Sequence, residues 1–217
     1  MSYYKVSDLA TSRAIISILH NLDKLEGNKL RLKKGDISNV WSSSKSSRRR
    51  IVAAAENLTE SYMMSVLWEG SITNESVMKI TKSFVMNVET TPKEIEFTFD
   101  ESMIKHLELT KGTLFSFHEI EDLVGIKSIY TLNMLLVASE VQFYASNRVS
   151  YKALRHVMDA EEGFEHDRGF YRHVVQVAFE DLGDLPKCQF KFESYDCINP
   201  ETQRKMSYGI NISTVKK

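Results

Sequence analysis

Cysteine is scarce in this chain: its 217 residues include two, Cys188 and Cys197. Two thiols make no disulfide framework of the kind that staples small secreted domains, so a reducing, cytoplasmic setting is expected. Long hydrophobic runs are missing as well. None approaches the roughly 18 apolar residues needed to span a bilayer. The opening MSYYKVSDLATSRAII has no basic stretch ahead of an apolar one, so no secretory signal is expected either. Excess charge is also lacking, because 28 basic residues against 29 acidic ones leave −1 at neutral pH. Overall charge therefore gives no electrostatic case for a nucleic-acid partner.

The signatures of catalysis are equally thin. There is no glycine-rich phosphate loop, no zinc spacing of Cys and His, and no His-x-His beside a nucleophilic tyrosine. His156, Asp159, Glu165, His166 and Asp167 lie close in sequence and resemble a metal cluster, but a solvated acidic turn accounts for them. No enzyme activity, no cofactor and no metal are expected.

What is present is a core. With 42% hydrophobic and 26% charged residues the composition is ordinary for a globular protein, and the length suits one or two domains. Charge is unevenly placed. Between Lys29 and Arg50 stand eight basic residues (Lys29, Arg31, Lys33, Lys34, Lys45, Arg48, Arg49 and Arg50) against a single acid, Asp36. Such a run is often just a solvated face, so its position in the fold decides its meaning.

Hydrophobic spacing supplies that position. Leu9, Ile15, Ile16, Leu19 and Leu22 predict a helix over 8–24, ended by Gly27 and Asn28. A short basic extended piece follows at 29–34. Asp36 then caps a short helix holding Ile37, Val40 and Trp41. Ser42, Ser43 and Ser44 offer N-caps for the next helix, KSSRRRIVAAAENLTESYMM, which buries Ile51, Ala54, Ala55, Leu58 and Tyr62. Extended segments are expected at 76–88 and 94–100, the second with Ile95, Phe97 and Phe99 facing inward.

From Ile126 the plan restarts. IKSIYTLNMLLVASEVQFYA reads as a long apolar helix, Arg148 to Ser150 as an extended piece and Tyr151 to Met158 as a short helix. In that helix Leu154, Val157 and Met158 repeat the spacing of Ile37, Val40 and Trp41 at an offset of 117 residues. A further helix begins at Asp167. Two strands follow, alternating Cys188, Phe190 and Phe192 on one and Tyr208, Ile210 and Ile212 on the other. Helix, short strand, helix, turn, helix and β-hairpin thus occur twice. The expected fold is α+β: tandem winged helices, each a helix-turn-helix with a β-hairpin wing, over residues 1–125 and 126–217.

In a helix-turn-helix the second helix enters the major groove, so its outer face must carry donors that suit base edges. Arg168, Arg172 and Gln176 lie at i, i+4 and i+8, with His173 beside them; a plain amphipathic surface helix is the competing reading. In the first repeat Ser43, Ser44, Lys45, Arg48 and Arg49 stand at the start of the corresponding helix, where hydroxyls and backbone N–H groups suit phosphate. Three consecutive arginines cannot share one face, so Lys45 and Arg49 are assigned to the groove and Arg50 to a flanking phosphate or an acid. Arg204 and Lys205, in the turn from Asn199 to Lys205, stand where a wing tip would meet DNA.

Three stretches carry a family likeness: LATSRAIISILHNLDKL, IEFTFDESMIKHLELTKGTLFSFHEIEDLVGIKSIYTLNMLL and DRGFYRHVVQVAFEDLGDL. In order along the chain, they resemble the iteron-binding plasmid replication initiators, which are built from two winged helices. The resemblance implies binding of double-stranded DNA at origin repeats, origin opening, host replication proteins as partners and autorepression by a dimer. It also implies that the first domain carries dimerisation and backbone contacts and the second the main base readout. The chain departs from the family in being short, slightly acidic and without a basic arm beyond Lys216 and Lys217. A winged-helix transcriptional regulator and a protein-interaction module are the rival readings, and no membrane partner is expected.

Overall fold

The computed structural model describes residues 2–5, 8–39, 45–60, 62–68, 77–142, 147–160, 163–164, 166–185, 190–198, 203 and 205–214. The chain divides into two compact units, Met1–Gly125 and Ile126–Lys217.

In the first unit, strand β1 (Ser2–Lys5) precedes helix α1 (Leu9–His20). Asp8 caps α1: its Oδ1 accepts from the N–H groups of Ala10 and Thr11 at 2.8 and 2.9 Å. The helix stops at His20 rather than at Gly27 as expected, because a separate 3₁₀ turn over Leu22–Lys24 follows. Gly27 instead takes φ +62° in the turn bridged by Glu26 and Lys29, a conformation suited to glycine.

Strand β2 (Lys29–Lys33) alternates exposed and buried residues, sending Leu30 and Leu32 inward. Helix α2 (Lys34–Asn39) starts earlier than expected, so Asp36 lies inside its first turn instead of capping it, with its carboxylate 3.8 Å from Lys24 Nζ. Val40, Trp41 and the Ser42–Ser44 turn lie outside the described residues.

Helix α3 (Lys45–Glu56) buries Ile51, Ala54 and Ala55. It is shorter than the sequence suggests: a 3₁₀ turn (Asn57–Glu60) ends it, and Tyr62 opens strand β3 (Tyr62–Trp68). Strand pairing overrides helix spacing there, since β3 sits between β1 and strand β4 (Val77–Ser83) in an antiparallel sheet. The extended segment expected over 76–88 is broken by buried Phe84 and Val85 into β4 and strand β5 (Asn87–Thr90).

Strand β6 (Glu94–Thr98) completes the wing, and Ile95, Phe97 and the following Phe99 point inward as expected, each fully buried. Its neighbours give the sheet order β2-β6-β5. Helices α4 (Glu101–Phe115) and α5 (Ile120–Val124) close the unit. Met103, Leu107 and Leu114 of α4 turn inward at helical spacing, and α4 packs on α1.

The second unit opens on α6 (Ile129–Val141), N-capped by Ser128, whose Oγ accepts from Tyr130 N–H at 3.2 Å. This helix is buried on nearly every side, Thr131, Asn133 and Ser139 included. Two of the polar ones find partners at hand: Ser139 Oγ donates to the Leu135 carbonyl at 2.9 Å and Thr131 Oγ1 to Asp181 at 2.7 Å.

Strand β7 (Arg148–Ser150) leads into helix α7 (Tyr151–Val157), which buries Leu154 and Val157, with Met158 buried just beyond it. Helix α8 (Asp167–Phe170), a π turn (Tyr171–Val175) and helix α9 (Gln176–Gly183) run on as one rod where a single regular helix is expected. Strands β8 (Phe190–Ile198) and β9 (Lys205–Thr214) form the wing, in the order β7-β9-β8. Cys188 lies outside the described residues.

The two sheets correspond strand for strand. In each unit a short strand before the helical pair hydrogen-bonds to the second strand of the hairpin after it: β2 to β6, and β7 to β9. The fold is α+β with two winged-helix-like repeats, and the first carries an additional sheet, β1-β3-β4.

Candidate nucleic-acid interface

The basic run divides by partner. Its strand half is matched by acids: Lys29 and Arg31 of β2 both donate to the Glu96 carboxylate across the sheet, and Lys34 Nζ lies 3.6 Å from Glu56. Hydrogen bonds from Lys29 and then Arg31 hold the Glu96 carboxyl below its usual range. Those cations serve the fold of the first unit.

The helix half differs. Arg48, Arg49 and Arg50 are all exposed, and the buried residues described in α3 are Ile51, Ala54 and Ala55. Arg49 and Arg50 form no ion pair among the described residues. Arg50 instead lies near another cation, half-buried Arg13, whose pKa is lowered by burial and then by Arg50. Ser43 and Ser44 lie outside the described residues, as does the side chain of Lys45.

In the second unit the rod from Asp167 to Gly183 buries Phe170, Val174, Val175, Ala178 and Leu182, and exposes Arg168, Arg172, His173 and Gln176. Arg168 and Arg172 form no ion pair among the described residues. His173 lies nearly parallel to Phe164, with ring centroids 6.3 Å apart and planes 17° from parallel. Gln176 Nε2 donates to Glu180 Oε1 at 2.9 Å. A carboxylate only accepts, so this bond turns the amide NH₂ toward Glu180 and leaves the amide oxygen free to accept.

Lys205 is tied down where a free wing-tip cation was expected, with its Nζ 2.8 Å from Asp196. Hydrogen bonding to Asp196 and that residue's charge raise its pKa. Arg204 lies outside the described residues. The turn singled out as a metal-cluster resemblance is held differently: Asp167 accepts from Arg155 at 2.9 Å, and no metal-ligating group of three occurs among the described residues.

Three contributors escaped the sequence reading. Arg155 joins α7 to the start of the next helix through Asp167, the Phe164 carbonyl and the Phe170 ring, 5.1 Å from its guanidinium carbon. Phe179 stacks on Phe192 of the wing with centroids 4.4 Å apart, fixing hairpin to helix. Val177 stands exposed among the polar residues of α9. Helical spacing shows that these residues belong to faces, but no local signal marks what they touch.

No family model and no curated protein matches this sequence. Solved structures do match. A crystal structure of selenomethionine derivatives of domain 2 and domain 3 of RctB has a TM-score of 0.58 and 13% identity, covering 94% of this chain and 81% of that one. A second crystal structure of RctB domains 2–3 has a TM-score of 0.53 and 10% identity, covering 97% and 85%. At such identities the likeness is one of fold. Among the described residues no helix is long and apolar enough to cross a membrane.

Proposed function

We propose that this chain is a sequence-specific double-stranded DNA-binding protein that acts as a replication initiator of the iteron-binding plasmid type. The observation that carries the reading is the pair of exposed arginine faces. Arg49 on α3, and Arg168 with Arg172 on the α8–α9 rod, stand on the second helix of each helix-turn-helix with no ion pair among the described residues. An unpaired guanidinium on a groove-facing helix matches guanine bidentately and phosphate by charge.

The fold likeness to RctB domains 2–3 supports the two-repeat architecture, and the choice of initiator over other winged-helix roles rests on the resemblance of the three sequence stretches to the iteron-binding initiators. In this reading Arg168, Arg172, His173 and Gln176 read bases, while Ser43, Ser44, Lys45, Arg48 and Arg49, with Lys45 and Arg49 lying in the groove, hold the phosphates that line it. Arg204 touches phosphate beyond the groove, and Lys205, paired with Asp196, contributes less. The first unit also carries dimerisation, with host replication proteins as further partners. No catalytic step is assigned to any residue.

Footprinting on DNA flanking the coding region, combined with a salt titration, tests this. Several neutralised phosphates give a log K that falls with log salt at about −0.9 per phosphate. Protection of direct repeats spaced by about two helical turns is the expected pattern for an initiator. A single inverted repeat would make the protein a transcriptional regulator instead. Affinity that hardly changes with salt would remove the DNA reading and leave a protein-interaction module.

A further inference from the structure

The rod that carries Arg168 and Arg172 is not a plain α-helix, and its irregularity bears on what it can read. Gln176 N–H bonds to the Tyr171 carbonyl five residues back, within the π turn over Tyr171–Val175. At 3.6 residues per turn, residues four apart drift by about 40° around an α-helix, so an i, i+4, i+8 set winds off a groove floor. A π turn holds more residues per turn and takes up that drift. Arg168, Arg172 and Gln176 then run in line along the helix, with His173 and Val177 as a second row beside them.

Val177 is the exception in this surface. It is 44% exposed, while the other valines of the rod, Val174 and Val175, are buried. Its sequence neighbour is Gln176, His173 precedes it by four residues, and Glu180 follows by three; all are exposed polar groups. The two nearest polar side chains are themselves held in place, His173 against Phe164 and Gln176 by Glu180. A branched apolar group in a fixed polar row has one natural counterpart on a major-groove edge, the C5 methyl of thymine.

We infer that Val177 is a specificity-determining residue that packs on a thymine methyl, next to the base read by Gln176. The inference rests on the DNA-binding reading and adds a base to it. Free in water, Val177 has no core to enter; against a thymine methyl both groups lose water.

The test removes the methyl group and nothing else. In the footprinted duplex each dT is replaced in turn by dU, and binding is measured for the wild type, Val177→Ala and Arg172→Ala. The wild type should lose about fourfold at one position, the transfer free energy of one methyl group. Val177→Ala should bind the unmodified duplex about fourfold more weakly and lose nothing further at that position. Val177→Thr, which keeps a methyl, should still distinguish dT from dU there.

The inference is overturned if Val177→Ala distinguishes dT from dU as the wild type does. It is equally overturned if the wild type is indifferent to every replacement. Relaxed base preference in Arg172→Ala would in either case leave the DNA reading standing. Absence of salt-dependent binding to any duplex would remove both. Val177 is exposed on a helix and alanine is a stronger helix former, so thermal unfolding of the variant should come at or slightly above the wild-type temperature.

Discussion

Arg155 Nη2 donates to Asp167 Oδ1 at 2.9 Å, bridging the last turn of α7 to the first residue of α8. The same guanidinium donates to the Phe164 carbonyl and covers the Phe170 ring. One largely buried side chain therefore sets where the proposed reading helix begins. Each partner is a different chemical group, so a lysine at 155 could not replace the planar fork.

Arg155→Ala should destabilise the second unit by about 2 kcal/mol, since charged hydrogen bonds are lost and the Phe164 carbonyl loses its donor. Asp167→Asn should cost under about 1 kcal/mol, because that carboxylate is about half exposed and water replaces much of the bond. Urea unfolding of the two variants checks the order. Equal effects would show that the ion pair, and not the carbonyl and ring contacts, dominates.

Arg172→Ala and Arg49→Ala should separate base reading from backbone binding. The first should cost about 1 to 3 kcal/mol of binding and relax preference at one base pair. The second should weaken all sequences alike and flatten the salt slope by about one. Selection from a randomised duplex pool, with salt titrations of each variant, measures both. The opposite pattern would exchange the roles of the two units.

Gly209 of β9 pairs with Tyr195, and a Cβ there would strike the Val149 carbonyl oxygen and come within 2.8 Å of Ser150 Cα. Both obstacles are backbone, which cannot swing aside. Gly209→Ala should destabilise the second unit by about 3 kcal/mol by overpacking. Gly183→Ala, with nothing within 4 Å of its added Cβ, should be neutral or slightly stabilising. Thermal unfolding of the pair is the comparison.

His118, buried between α4 and α5, has its pKa lowered from 6.5 to about 4 by burial, against a weaker opposing pull from Asp122. Its folded pKa lies below the unfolded one, so its contribution is fully present above about pH 6.5. That contribution declines as pH falls toward 4, by about 3 kcal/mol in all. The stability of wild type relative to His118→Leu should therefore fall across that window. Urea midpoints at pH 7 and pH 4.5 measure it, and parallel acid losses in both proteins would assign the effect to other groups.

The repeated order of elements was legible because both units carry apolar residues at the periods of helix and strand. Ile95, Phe97 and Phe99 show it best: strict alternation places them inward whatever they touch. The end of α3 was not legible, since Tyr62 continues the helical spacing while its backbone pairs with β1 and β4. Nothing local announces that its partners are Lys5 and Ser83.

Charge divides the same way. The run from Lys29 to Arg50 is plain in the residues, but its sequence does not say which cations are matched. Glu96 lies more than sixty residues from Lys29 and Arg31 and neutralises them only because β2 pairs with β6.

Periodicity by itself determined two winged-helix repeats and which helix faces stay polar, because turning a residue inward or outward depends on near neighbours. Folding in three dimensions decided which basic side chains remain unmatched. It also decided where the α8–α9 rod loosens into a π turn, and that Val177 stays outside while Val174 and Val175 are buried. Those outcomes depend on groups distant in the chain meeting in space, and no short stretch of sequence contains them.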